Sequence, residues 1–188
     1  MKEKIRKILK DSIKVKELIL KTQVSTIELI AKEIISCLKN GHKVILFGNG
    51  GSAADSQHLA AELVGRFQKE RRPLAAISLN VNTSVITALA NDYGYEYVFA
   101  RQIEALAGAG DITIGISTSG KAKNVIAAIK KAKKMNIKTI GLTGDSGGEL
   151  AKITDIAIMV PSHITARIQE AHILIGHIIC HLVEEVLS

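Results

Sequence analysis

A chain of 188 residues with 47% apolar content suits one compact domain, plus an appendage, that buries its core without staples, and its two cysteines, Cys37 and Cys180, sit in apolar helical settings that fit a reducing cytoplasm better than a disulfide framework. No leader of charged then apolar residues opens it, and no apolar run approaches the roughly eighteen residues that span a bilayer, so neither export nor membrane insertion is expected. The formal charge of +7 comes with only 3% aromatic residues, and the lysines of KNVIAAIKKAKKMNIK recur behind an apolar face of Val125, Ile126, Ile129 and Ala132, a solvated helix back that leaves nucleic-acid binding unsupported.

Residues Met1 to Asn40 lack proline and glycine and place Ile5, Ile8, Leu9 and Ile13, then Ile27, Ile30, Ile34, Ile35 and Leu38, at helical spacing. They predict an N-terminal helical extension over 1–40, closed by the left-handed stop Asn40-Gly41. Residues 41–188 alternate short β-rich runs, KVILF, LAAISL, DITIGIS, IKTIGLT and IAIMV, with helical segments. This predicts an α/β domain: a five-stranded parallel sheet flanked by helices. Thr165 to Ser188 reads as one helix, apolar at Ile168, Ala171, Ile175, Ile178, Ile179 and Leu182. With the flavodoxin-like order 2-1-3-4-5, the loops GNGGSAAD and STSGKAKN, after the first and third strands, face one another where the strand order reverses.

Gly48, Gly50 and Ala53 meet the G-x-G-x-x-G/A spacing, but a dinucleotide fold needs an acidic residue at the end of the second strand, and that strand ends Ser78-Leu79-Asn80. Glu70 lies in the charged run QKERRP before it, and no Gly-Lys-Ser/Thr follows to make a mononucleotide loop. The glycines could serve only a tight turn. A second hydroxyl-rich loop opening another helix nearby favours one phosphate on a small molecule instead, held by free helix N–H groups. His58 and Glu62, at i and i+4, share a face of the helix after the glycine loop. Such a pair is commonly a surface ion pair, but the helix whose first turn meets a phosphate flanks the rest of that ligand with its next turns. The last helix carries Gln169, Glu170, His172, His177 and His181; Gln169 and His177 lie about 12 Å apart along it, and spacing does not choose among the three histidines.

The segments GNGGSAADSQHLAAEL, Ala88 to Gln102, GISTSG and TARIQEAHILIGH resemble the sugar isomerase (SIS) domain family, and within it the phosphoheptose isomerases, over essentially the whole chain. The resemblance implies that Asn49, Gly50 and Gly51 line a sugar phosphate, that Ser52, Ser117, Thr118 and Ser119 cradle the phosphate, and that Asn91 and Asp92 contact sugar hydroxyls. It implies one zinc ion per subunit on His58, Glu62, Gln169 and His177, with Glu62 and Gln169 also facing substrate and Glu62 and His177 as the acid/base pair. It thereby selects His177 over His172 and His181. One departure stands out: a serine that relatives often use for phosphate is Ala122 here, between Lys121 and Lys123, which could offset the lost hydroxyl by charge.

The implied reaction is conversion of sedoheptulose 7-phosphate to D-glycero-D-manno-heptose 7-phosphate through an enediol, the first step toward nucleotide-activated heptose for lipopolysaccharide or a related surface glycan. The rival is a non-catalytic SIS protein that binds the bacterial replication initiator; such relatives lack parts of the acid/base set, which Glu62 and His177 complete here. Apolar positions beyond what one domain face needs, on the N-terminal helices and the last helix, lead to an expected homotetramer whose sites borrow residues across interfaces.

Overall fold

In the computed structural model, which describes residues 1–188, the five apolar runs pair in parallel as one sheet, in the expected order β2-β1-β3-β4-β5. The strands are β1 (Val44–Gly48), β2 (Ala76–Ser78), β3 (Ile112–Ser117), β4 (Lys138–Gly144) and β5 (Ile156–Val160). The helices are α1 (Lys2–Thr22), α2 (Val24–Lys39), α3 (Gly51–Val64), α4 (Thr83–Tyr93), α5 (Val98–Leu106), α6 (Lys123–Lys134), α7 (Gly148–Ile153) and α8 (Thr165–Leu187), with a single 3-10 turn at Tyr95–Tyr97.

Because successive strand residues point to opposite faces, the sheet divides the core in two. Val44, Leu46, Ile112, Ile114 and Ile116 pack beneath α2, α3 and α8, against Ile30, Ile34, Leu59, Leu63, Ile175 and Ile179. On the other face Ile45 and Phe47 meet α5, α6 and α7 through Phe99, Ile103, Val125, Ile129 and Leu150. Strands buried on both sides have no solvent face, which is why β1 reads as a continuous apolar run and β3 alternates its isoleucines only with the small buried residues Thr113, Gly115 and Ser117. The edge strand β2 is shorter than the LAAISL run, because Leu74 leaves the ladder and its N–H bonds to the Leu63 carbonyl at the end of α3.

The N-terminal segment is helical as expected, but as two helices that break at Gln23 (φ −119°, ψ −4°). No proline or glycine marks the break. Its physical reason lies in packing: α2 inserts Ile27, Ile30 and Ile34 into the core beside α8, whereas α1 buries only Val15 and Ile19 and leaves Ile5, Ile8, Leu9 and Ile13 exposed. No helix is long and apolar enough to cross a membrane.

For function the important neighbours are β1 and β3, paired from Val44↔Ile112 to Gly48↔Ile116. Their carboxyl ends, and the loops that open α3 and α6, therefore lie side by side.

Candidate active site

The loop after β1 is built for close approach. A Cβ on Gly48 would lie 2.7 Å from the Ser52 Cβ, so only glycine lets the first turn of α3 fold back on the strand end, and Gly50 holds φ at +56°, a left-handed value with open space beside it. Asn80, where a dinucleotide fold would put its acidic residue, clamps this loop: its Nδ2 donates to the Gly48 carbonyl (2.9 Å) and its Oδ1 accepts from the Gly48 N–H (3.2 Å) and the Ser56 hydroxyl (2.9 Å).

Across the crevice, Asn49 and Asn124 bond reciprocally through their amides, at 2.8 and 2.9 Å, and the Tyr95 hydroxyl donates to the Asn49 Oδ1 at 3.2 Å. The two expected loops are thus joined directly. Ser52 and Ser117 are buried, Thr118 is half-buried and Ser119 is exposed, with 3.4 Å between the Ser117 and Ser119 hydroxyls. Neither Gly50 nor Ala122, the residues that cap α3 and α6, supplies a side-chain cap. The Ser52 and Ala53 N–H groups bond to the Asn49 and Gly50 carbonyls and the Val125 N–H to Asn124 Oδ1, which leaves the N–H groups of Gly51 in α3 and of Lys123 and Asn124 in α6 for a ligand, an arrangement suited to an anion.

One turn further along α3 is a cluster of two histidines and a glutamate. His58 Nε2 stands 2.9 Å from His177 Nε2 and 3.2 Å from Glu62 Oε1, so groups from α3 and α8 meet at one point. One donor atom from each of the three side chains fits within a 4.8 Å span, close enough to hold a metal ion. The chemistry of the set agrees: two imidazole nitrogens aimed at each other must share a proton or a cation, and nitrogen with carboxylate oxygen suits a borderline-soft divalent ion. Gly176 lets the helices approach, since a Cβ there would meet a Leu59 methyl at 2.5 Å.

Gln169, the remaining predicted ligand, lies nearer the glycine loop. Its Nε2 donates to Asp55 Oδ1 at 2.6 Å, and its Cγ would be 3.5 Å from a Cβ on Gly51. Burial raises the Asp55 pKa above the ordinary carboxylate value, against the lowering effects of the Gln169 bond and of the His58 and His177 rings. Asn91 and Asp92 stand exposed at the end of α4, bonded to each other at 2.8 Å, and are not drawn into the histidine cluster.

The other two histidines of α8 are elsewhere. His172 is fully buried and donates through Nε2 to the Thr143 carbonyl (3.0 Å), and burial pushes its pKa from 6.5 down to about 4, so it is neutral at pH 7. His181 pairs with Glu185 at 3.5 Å.

Behind the cluster is a buried clasp that sequence reading missed. Glu184 accepts the N–H groups of Phe67, Gln68 and Lys69 at 2.9, 2.7 and 2.9 Å and lies 3.4 Å from Arg71 Nε. Arg71 in turn donates to the carbonyls of Glu62 and Leu63 at the end of α3 and to that of Gly65, a cation where the helix dipole favours one. The clasp sets Phe67 against His177, ring centroids 5.5 Å apart. A charged run read only as QKERRP gave no sign that one arginine in it is buried. Asp55, Asn80, Asn124 and Tyr95 were missed as well; a polar residue on the apolar face of α3 was the one available hint, for Asp55.

A family model described as the SIS domain matches residues 9–144. The phosphoheptose isomerase of Aquifex aeolicus is 54% identical over 187 residues, covering 100% of this chain and 98% of its own, and that of Nitratiruptor sp. is 62% identical over 151 residues, covering 80% and 81%. The chain belongs to the phosphoheptose isomerase family. Its fold agrees with solved members: phosphoheptose isomerase GmhA from Neisseria gonorrhoeae superposes with a TM-score of 0.93 at 42% identity, over 98% of each chain, and the Francisella tularensis enzyme with 0.94 at 39%, over 97% of each. Glu62 and His177 lie 115 positions apart in sequence and close together in space.

Proposed function

We propose that this protein is a cytoplasmic phosphoheptose isomerase, converting sedoheptulose 7-phosphate to D-glycero-D-manno-heptose 7-phosphate at the start of nucleotide-activated heptose synthesis. The observation that carries the reading is the meeting of His58, Glu62 and His177 beside two uncapped helix N-termini at the reversal of strand order.

The substrate phosphate is taken by the Ser52, Ser117, Thr118 and Ser119 hydroxyls and the free N–H groups of α3 and α6, with Asn49, Gly50 and Gly51 along its length. Asn49 is already held by Asn124 and Tyr95, so it meets substrate as part of a fixed wall. The sugar carbon chain then runs along α3 toward Glu62. One carboxylate oxygen of Glu62 faces His58 and the other takes the proton from the carbon next to the carbonyl. His177 supplies a proton to the carbonyl oxygen to give the enediol; it then takes back a proton from the terminal hydroxyl, which becomes the aldehyde, as Glu62 returns the first proton to the former carbonyl carbon, so the ketose-to-aldose change is complete without redox chemistry.

His58, Glu62, Gln169 and His177 would hold one zinc ion, which when bound polarises a carbonyl as a Lewis acid. A carboxylate bound tightly to zinc is a poorer base, so Glu62 is assigned loose coordination. Asn91 and Asp92 are proposed to reach sugar hydroxyls. The exposed Ile5, Ile8, Leu9 and Ile13 of α1 support a homotetramer, in which such exposed residues can complete a neighbouring site.

The test is Glu62→Gln, assayed on sedoheptulose 7-phosphate with zinc-saturated protein. Loss of a general base lowers turnover by about 10²–10⁴-fold while substrate still binds. Near-normal turnover with zinc in place would remove Glu62 as the base. A wild-type protein without isomerase activity would return the reading to a non-catalytic binding role.

A further inference from the structure

Asp55 has no part in the acid/base chemistry above, yet it is among the most conspicuous groups in the site. It is 5% exposed, on the same face of α3 as His58 and Glu62, three and seven residues ahead of them. One of its oxygens accepts the Gln169 Nε2 at 2.6 Å; the other, Oδ2, is buried without a hydrogen-bond partner. A carboxylate is kept in such a place when its charge is used. No lysine or arginine is paired with it, and the basic side chains closest in kind are the imidazoles of the metal-ligating cluster.

The bond to Gln169 decides which end of an amide the site sees. An ionised carboxylate only accepts, so it must face the NH₂ group, and the Gln169 carbonyl oxygen is turned to the opposite side. Without Asp55 the two ends of the amide are nearly equivalent in shape, and half of the orientations present an NH₂ group, which cannot ligate a cation.

We propose that Asp55 is a positioning residue for the metal centre: it fixes the Gln169 amide with its carbonyl oxygen presented as a donor, and its free oxygen adds negative charge behind a bound cation. This rests on the metal-dependent reading of the site given above. Carboxylates that orient first ligands in this manner change metal affinity by about 10–100-fold when lost.

The experiment measures the zinc dissociation constant of the full-length protein by competition with a chromophoric chelator. Asp55→Asn, nearly the same shape, is expected to weaken zinc binding by about 10–100-fold. In a Gln169→Ala background the same change should weaken it much less, because there is no amide left to orient. The exchanged pair D55N/Q169E, in which an amide now donates to a ligating carboxylate, should recover most of the affinity, a result that a merely structural role for Asp55 would not produce.

Zinc binding by Asp55→Asn within twofold of wild type would overturn the proposal, as would fully additive losses with Gln169→Ala. Should Asp55→Asn alone fail to fold, the exchanged pair decides, and failure to bind zinc in that folded variant counts against the proposal. A wild-type protein that binds no zinc would instead overturn the metal reading itself, and this assignment with it.

Discussion

Glu184→Gln tests the clasp behind the active site. The wild-type carboxylate, 1% exposed, receives three backbone N–H groups and faces Arg71, whose side chain is itself 1% exposed. Burial disfavours its charge, but the N–H groups of Gln68, Lys69 and Phe67 together with Arg71 outweigh this and hold its pKa below the ordinary glutamate value. Glutamine keeps the size and removes the charge; its NH₂ must confront at least one of the three N–H donors, and Arg71 loses its counter-ion. Breaking a buried pair by removing one partner costs about 3–5 kcal/mol. Because Arg71 keeps its bonds to the Glu62, Leu63 and Gly65 carbonyls, the low end, about 3 kcal/mol, is expected. For a chain of this size that lowers the melting midpoint by roughly 6–12 °C.

The assay is urea unfolding at pH 7, at one subunit concentration so that association weighs equally on both proteins. It is paired with hydrogen exchange over residues 65–72, where the Phe67, Gln68 and Lys69 amides should lose protection. The pH sign follows from the lowered pKa: the carboxylate's contribution is complete above the unfolded-state value, near 4.5, and fades as pH falls through the folded-state value, so the difference between the two proteins shrinks in acid. A change under about 1 kcal/mol, with the three amides still protected, would refute the clasp as a stabilising element.

His172 makes a separate pH prediction. Its folded pKa of about 4 lies below its ordinary 6.5, so between those values the unfolded chain binds the extra proton and stability falls as the solution is acidified. His172→Gln should flatten this part of the profile, by up to about 3 kcal/mol at the acid end, read from urea midpoints at several pH values; parallel wild-type and variant profiles would refute it. Ala122→Ser places a hydroxyl at the N-cap of α6, which has no side-chain cap. If it reaches the substrate phosphate, binding strengthens by about 0.5–1.5 kcal/mol and the Michaelis constant falls roughly 2–10-fold; a higher melting midpoint with an unchanged Michaelis constant would show that the serine only caps the helix.

Much of the architecture was legible in local pattern. Five β-rich runs, the helical spacing between them and the glycine loop depend on residues next to one another in the chain, and each became the expected element; even the missing acidic residue after β2 was visible, as Asn80. His58 and Glu62 could be paired for the same reason, since one helical turn joins them. Other features depend on how elements cross. Spacing along α8 left His172, His177 and His181 equivalent, and only family resemblance separated them. The fold separates them physically: at Gly176 the helix presses on Leu59, which brings His177 to His58 while His172 turns under β4. The break at Gln23 carries no sequence mark, because it is set by α2 entering the core and α1 leaving it. Asp55 with Gln169, 114 residues apart, and Glu184 with the segment around Arg71 are contacts between distant parts of the chain. Their side chains look like ordinary surface polar residues until burial removes water and makes their mutual bonds obligatory. Sequence by itself determined the elements and the helix that carries His58 and Glu62; tertiary structure decided which distant polar groups share that buried space, because helix crossing and desolvation are properties of the packed chain.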